Sequence, residues 1–360
     1  MQVFDSILTF LSVVAICSTT STIFCNAYCP VVICPGFGND IVDYDTPLQQ
    51  PSEVGFKSVL SRRGFDPEMI YTVPVQRSDW IRVAGGLLDI PDFYTGNAKP
   101  TGFGYGWYLD RLRETVNRAY QESGGQRVLL VGHSAGGWLA RAAMGNGKEW
   151  ITADDDETND FGVVPTRDRI QGLVSLGAIH KVPEQESTCV TRGALKYTDA
   201  MYPGAYLKKE GIAYVSVGGA AILGNDSKDD TNEKGESTTT TATTTEADAL
   251  YSKRGEGNAE RVAYTSYQSV CGTGSVIGDG VVPLEWTQLE GSRQIQLDGV
   301  LHSINEAGTT IPTDRWYGSE AVIDRWLPAV LEETGLKSSK TFSFAGFPLP
   351  NFFDTSVTNR

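Results

Sequence analysis

A chain of 360 residues, 40% of them from the hydrophobic set, is long and apolar enough to bury a large core, which excludes a peptide-like or disulfide-only scaffold. The 30 Lys and Arg against 44 Asp and Glu leave a formal charge of -14, which repels nucleic-acid phosphates and anionic membrane surfaces. With 39 Gly, 16 Pro and 21% charged residues, the composition is that of a turn-rich globular protein, neither fibrous nor disordered.

In chain order, Ile7 to Cys17 is an apolar run followed by Ser and Thr and then by Cys25-Asn26-Ala27, a small-residue cleavage pattern. The run is too short to span a bilayer, which takes about 20 residues. It reads as a secretory signal peptide over residues 1–27, placing the chain in the secretory pathway or outside the cell. Its n-region carries Asp5 and no Lys or Arg, and the first basic residue is Lys57, which speaks against an Arg-rich transit peptide. Plastid or intracellular location, with the run as an N-terminal strand or helix, is the other reading.

Short, nearly continuous, β-branched runs then recur at Pro30 to Cys34, Met69 to Val75, Arg127 to Gly132, Ile170 to Leu176 and Ile212 to Val217, with a last strand at Arg293 to Leu297. Helical spacing separates them at Ser52 to Arg63, Gly106 to Gln121, Ala135 to Met144 and Ser319 to Glu333. Continuous apolar strands alternating with helices predict a mostly parallel sheet covered on both faces, in one domain over residues 28–335. Two polar stretches interrupt the pattern. Asp154 to Asp160 has five acids and no base, and the Thr-rich stretch Asn225 to Asp248 has seven acids against two lysines. Both read as solvated loops, the second as an insertion, and together they carry -10 of the -14, so the remaining body is close to neutral. Residues 336–360 form a Phe-containing C-terminal tail.

No metal or cofactor is expected. Asp154, Asp155, Asp156 and Asp160 lack the glycine and terminal glutamate of an EF-hand loop. Once a signal has left with Cys17 and Cys25, Cys29, Cys34, Cys189 and Cys271 show no zinc spacing and read as small buried hydrophobes. Asn225-Asp226-Ser227 is a glycosylation sequon in a polar stretch. No Gly-x-Gly-x-x-Gly with a downstream acid is present, so a dinucleotide reading fails.

The chemistry-bearing pattern lies where Arg127 to Val131 runs into Gly132-His133-Ser134-Ala135-Gly136 and on into a helix-forming stretch. The bare Gly-x-Ser-x-Gly string is weak, but between an apolar strand and a helix it predicts a nucleophile elbow, with Ser134 on a sharp turn and Gly132 and Gly136 relieving collisions. Serine needs a base, and there are three histidines. His133, beside the nucleophile, reads as a packing residue. His180 comes early in the chain and reads as lining a pocket. His302, after the last strand and before the final helix, is the expected base. Asp279 in Gly278-Asp279-Gly280 is the expected orienting acid, ahead of Asp298 and the acids of the Thr-rich stretch. The oxyanion donors are expected from Ala135 and from Phe37 in the Pro35-Gly36-Phe37-Gly38-Asn39-Asp40 loop after the first strand. Trp80 to Tyr94 and Pro183 to Leu207 are the two candidate caps, with Trp80 lining a pocket.

On the motifs PGFGND, GHSAGGWLARAAM, GDGVVPLEWTQLEG and LHSINEAGTT, spread from Val31 to Leu331, the chain resembles the α/β-hydrolase superfamily. Within it, the similarity is to lipase-like members, including a GPI inositol-deacylase-like group and lipase-like proteins of plants, algae and cyanobacteria. The resemblance implies an α/β-hydrolase fold with a small cap and a triad of Ser134, Asp279 and His302. The departure is at the oxyanion loop, where many lipases have His-Gly and this chain has Pro35-Gly36. The expected function is hydrolysis of carboxylic esters of lipids through an acyl-enzyme, with a lipid or other ester as substrate and transient contact with a lipid surface. Acyl transfer by the same triad is one alternative reading, and a non-catalytic binding protein on the same fold is the other.

Overall fold

Every run expected as a strand forms one, and the side chains of the inner strands divide between two cores. The computed structural model describes residues 28–84, 92, 95–145, 166–183, 190–226, 246–306 and 309–336. The segment expected to be a signal peptide, the acidic run at Asp154 to Asp160, Cys189, most of the Thr-rich stretch, most of the first cap candidate, a short part of the second and nearly all of the tail lie outside those residues. In chain order the elements are β1 (Val31–Cys34), α1 (Val42–Asp45), α2 (Phe56–Arg62), β2 (Ile70–Thr72), α3 (Ile81–Ala84), α4 (Gly106–Glu122), β3 (Val128–His133), α5 (Ala135–Ala143), β4 (Ile170–Leu176), α6 (Ala194–Met201), β5 (Ala213–Ala220), β6 (Ile222–Leu223), α7 (Glu246–Cys271), β7 (Ile277–Gly278), β8 (Arg293–Asp298) and α8 (Glu320–Thr334).

Six strands form one sheet in the order β2-β1-β3-β4-β5-β8, and each neighbouring pair is parallel. Val31, Ile33, Leu129, Val131, Val174 and Val215 face a core shared with Phe56 of α2 and Trp326 of α8. Val32, Leu130, Leu173 and Tyr214 face the opposite core, shared with Leu112 and Val116 of α4 and Trp138 of α5. Burial on both faces is why these strands read as unbroken apolar runs. The chain starts inside the sheet at β1, adds β2 on one side and β3 on the other, and so creates a switch point where the loops after β1 and β3 part company. Ligand sites of open α/β sheets lie at such points, beyond the carboxyl ends of the strands. The parallel order, a strand-to-helix elbow after β3 and late acidic and histidine loops after β7 and β8 make this an α/β-hydrolase fold.

Three elements differ from the sequence expectation. The Thr-rich stretch does not run as loop to Asp248, because α7 begins at Glu246. That helix holds Gly255, Gly257 and scattered charges, so no clean apolar stripe announces it. Helix α6 lies within the second cap candidate. The β6–β7 pair is a two-residue antiparallel ladder, Ile222 with Gly278 and Leu223 with Ile277, too short to leave a periodic trace. Of the cysteines, Cys29 and Cys34 are buried thiols and Cys271 is half-buried. Burial pushes the Cys29 thiol up to about 12.

The second core is tied by aromatic edges: Phe56, fully buried, meets Trp316 and Trp326 at ring-centroid distances of 6.0 and 6.1 Å, both edge to face. Replacing Phe56 by Ala removes both contacts and leaves a cavity. The expected cost is about 3–5 kcal/mol, read by urea unfolding; a loss under about 1 kcal/mol would show that α2 is not anchored by this ring.

Candidate active site

β3 is buried throughout and delivers His133 and Ser134 to the carboxyl edge of the sheet. Ser134 adopts φ 52° and ψ -125°, a backbone region that an L-residue occupies at a cost of about 1–3 kcal/mol unless its surroundings enforce it. They do. A Cβ on Gly132 would lie 2.5 Å from Gly137 Cα, and one on Gly136 would lie 2.0 Å from the Cys34 carbonyl oxygen. The two glycines therefore let α5 start immediately and pack against the end of β1. The Ser134 N–H donates to Leu176 O at 2.9 Å, fixing the turn against β4.

The loop after β1 closes on the same point. The Gly36 carbonyl accepts from Asn39 N at 3.1 Å while Gly38 has φ 75°, the turn that calls for glycine at its third position. A Cβ on Gly36 would lie 2.8 Å from Ser134 Cβ, so this loop abuts the nucleophile position. The Phe37 side chain is 58% exposed and its ring sits 5.2 Å from Trp80. The N–H groups of Phe37 and Ala135 have no hydrogen-bond partner among the described residues. Two unspent donors flanking a serine, one at the start of a helix, can receive a developing negative charge.

Asp279 sits in the turn that follows β7, and its carboxylate is held by four donors. Val281 N and Val282 N reach Oδ1 at 3.0 and 2.8 Å, and His302 Nδ1 and Tyr317 Oη reach Oδ2, each at 2.8 Å. The His302 N–H donates to the Asp279 carbonyl at 2.9 Å. With Nδ1 bound to the carboxylate, Nε2 is the ring nitrogen of His302 left for proton transfer. No hydrogen bond joins Ser134 Oγ to that nitrogen among the described residues; such bonds commonly tighten only around a bound substrate. The space for the pair comes from Gly177, where a Cβ would meet Asp279 Oδ2 at 2.8 Å and His302 Nδ1 at 3.0 Å.

The other two histidines are committed elsewhere. His133 is buried, with Nδ1 at 2.9 Å from Tyr44 Oη and Nε2 at 2.9 Å from His302 O. Burial, reinforced by His302 nearby, brings its pKa down to about 3, so it is neutral at working pH and has no free ring nitrogen to act as a base. His180 is 2% exposed, with Nε2 at 2.9 Å from Ser175 Oγ, and burial holds it well below the ordinary histidine range. Expected to line a pocket, it is instead buried, its ring against Ser175 and its N–H donating to Trp286 O at 2.9 Å. Trp80 is likewise buried, its indole N–H donating to Asn39 O at 3.0 Å, so it backs the Phe37 loop. Sequence reasoning missed Tyr44, Gly177 and Tyr317. Gly177, at the end of an apolar run, carried a weak signal; the tyrosines carried none.

No protein-family model matches the chain, and no curated protein matches it. Among solved structures, the chain is similar to the lipase BlEst2 of Bacillus licheniformis in its mature form, with 12% identity, a TM-score of 0.44, and coverage of 84% of this chain and 92% of that one. It is also similar to phospholipase PlaB of Legionella pneumophila in complex with thio-NAD, with 13% identity, a TM-score of 0.26, and coverage of 54% and 38%. Likeness that faint carries no argument about chemistry.

His133 gives the site a measurable pH signature. Its folded pKa of about 3 lies below the ordinary 6.5, so the stability it contributes is complete above about pH 6.5 and is lost as the pH falls toward 3. One such group gives a slope approaching about 1.4 kcal/mol per pH unit, and His180 adds to it in the same direction. Urea unfolding between pH 7 and 4.5 is expected to show a shallower slope for His133→Gln than for the wild type. Equal slopes would contradict a buried neutral His133.

Proposed function

We propose that the protein is a serine hydrolase that cleaves carboxylic esters of lipids through an acyl-enzyme. The observation that carries this reading is the convergence at one sheet edge of Ser134 in its strained elbow, the His302–Asp279 pair at 2.8 Å, and two unspent backbone donors. In the mechanism, Ser134 Oγ attacks the ester carbonyl carbon while His302 Nε2 takes its proton. The Asp279 carboxylate, accepting from Nδ1, holds the ring and stabilises the imidazolium. Ala135 N–H and Phe37 N–H receive the oxyanion. As the tetrahedral intermediate collapses, His302 returns the proton to the leaving alcohol. A water then repeats the sequence on the acyl-enzyme, releasing the acid and regenerating Ser134. The lipid part of the reading is supported by exposed apolar side chains beside the oxyanion loop, Phe37 at 58% and Ile81 at 68%, and by a body whose net charge is small outside two acidic stretches.

A fluorophosphonate probe is expected to label the wild type and to leave Ser134→Ala unlabelled. With p-nitrophenyl esters of increasing acyl length, activity is expected to rise beyond butyryl. A sharp preference for acetyl or butyryl would sink the lipid assignment, and an unlabelled, folded wild type would sink the hydrolase.

Tyr317→Phe removes one of two donors to Asp279 Oδ2 without changing ring size. A hydrogen bond to a charged group is worth about 1.5–3 kcal/mol. If roughly half of that acts in the transition state, kcat is expected to fall about 4- to 13-fold with KM little changed. An unchanged kcat would mean that Tyr317 serves Gly219, whose N–H it accepts at 2.7 Å, and not the acid.

A further inference from the structure

The Pro35–Gly36 peptide, which departs from the His-Gly of many lipases, is gripped on both sides. Tyr108 Oη donates to its carbonyl oxygen at 2.9 Å, and its N–H donates to Tyr44 Oη at 3.0 Å. Both tyrosines are buried. The next peptide carries the Phe37 N–H, and its own carbonyl, Gly36 O, accepts from Asn39 N at 3.1 Å, so the proposed oxyanion donor sits on a peptide held by its carbonyl and by the gripped peptide before it. Tyr44 Oη also lies 2.9 Å from His133 Nδ1, and His133 Nε2 lies 2.9 Å from the backbone carbonyl of His302.

The donors in this chain can be assigned by elimination. A carbonyl oxygen only accepts, so His133 Nε2 must carry the proton and donate to His302 O. In a neutral imidazole Nδ1 then has a lone pair and must accept, so the Tyr44 hydroxyl donates to it. That leaves a lone pair on Tyr44 Oη for the Gly36 N–H. Every bond has one sense: Gly36 N–H to Tyr44, Tyr44 O–H to His133, His133 N–H to His302. With the His302 N–H donating to the Asp279 carbonyl, the backbone of that residue is held at both its N–H and its C=O.

We propose that Tyr44 and His133 are positioning residues that couple the oxyanion loop to the base, so that a displacement of either is transmitted to the other through a directed hydrogen-bond chain. This rests on the hydrolase reading for its catalytic consequence, but not for the coupling itself. Neither residue touches the ester. His133 thus has a task beyond packing, although its rings of contact with Trp316 and Tyr317 are also part of the core.

The test uses the full chain labelled with 15N at its histidines, of which there are only three. The variants are Tyr44→Phe, which cuts the chain, Tyr108→Phe, which loosens the same peptide and leaves the chain intact, and the double variant of the two. In the wild type the His133 signals are expected to be those of the neutral Nε2–H form. In Tyr44→Phe the His302 ring signals are expected to move although Tyr44 makes no bond to that ring; in Tyr108→Phe, where the chain is intact, they are expected to move as well, and with Tyr44 already Phe the Tyr108 substitution is expected to add no further shift. In parallel, Tyr44→Phe is expected to take up fluorophosphonate fully but slowly, with kcat down about 10-fold and KM within about twofold. His133→Gln, whose amide can still donate to His302 O, is expected to keep more kcat than His133→Leu. A merely structural role would lower the folded fraction and leave kcat per labelled site unchanged. Unmoved His302 signals with unchanged kcat in folded Tyr44→Phe would overturn the coupling while the hydrolase stands. A wild type that takes no label overturns the hydrolase reading, and the NMR comparison still decides the coupling, since it needs no turnover.

Discussion

Asp279 is 1% exposed, and a carboxylate so far from water persists only where donors replace its hydration shell. Four do, and they come from three stretches of chain: its own turn, the loop after β8 and the residues before α8. Leaving any of them unmade would cost about 1–3 kcal/mol, so the loops are as well determined as a core. The constraint spreads outward. Tyr317 Oη, while donating to Asp279, accepts the N–H of Gly219 in β5, and Tyr267 Oη of α7 accepts the N–H of Gly280 while donating to Ile222 O. A single buried charge thereby fixes the carboxyl ends of β5 and β7, the start of the loop bearing His302, and the seat of α7.

The strain at Ser134 belongs to the same logic from the other side. A backbone at φ 52° is held there by α5 packing onto the end of β1 and by the Leu176 carbonyl, with no room for Cβ atoms on Gly132 or Gly136. The elbow is thus a property of the packed sheet edge, and helix α5 pays for it through Trp138 and Leu139, both buried in the core. Strain and buried charge meet at Gly177, whose missing side chain leaves room for Asp279 and His302 beside the strand that pairs with the elbow.

What the sequence made legible was local. Continuous apolar runs marked the strands because both faces are covered, and glycines at fixed offsets between a strand and a helix marked Ser134. Asp279 and His302 could be named because three histidines left little choice and an Asp between glycines ended a late strand. What stayed hidden was long-range. Tyr317 stands 38 positions from the carboxylate it serves, and Tyr44 stands 89 positions from His133. A buried tyrosine has the same sequence signature whether it fills space or orients a peptide. His133 reads as packing from its place beside Ser134, because adjacency on a turn says that neighbouring side chains diverge and cannot report which atoms they meet. Helix α7 was lost to its glycines, and the β6–β7 ladder to its length.

Because the proposed oxyanion donors are backbone N–H groups, the chemistry of the site is separated from the side chains that would meet the acyl group. Phe37 contributes its N–H to one role and an exposed ring to another. Substituting the ring leaves the peptide between Tyr44 and Tyr108 where it was, since their bonds are to the preceding peptide unit. An orientation fixed in advance avoids reorganisation when charge develops, which is where such donors exert most of their effect. In the proposed hydrolase the rim can therefore vary with the acyl group while the donors, the elbow and the Asp279 network hold their geometry. In this chain the peptide before the proposed donor, Pro35–Gly36, is held from both sides by the buried Tyr44 and Tyr108.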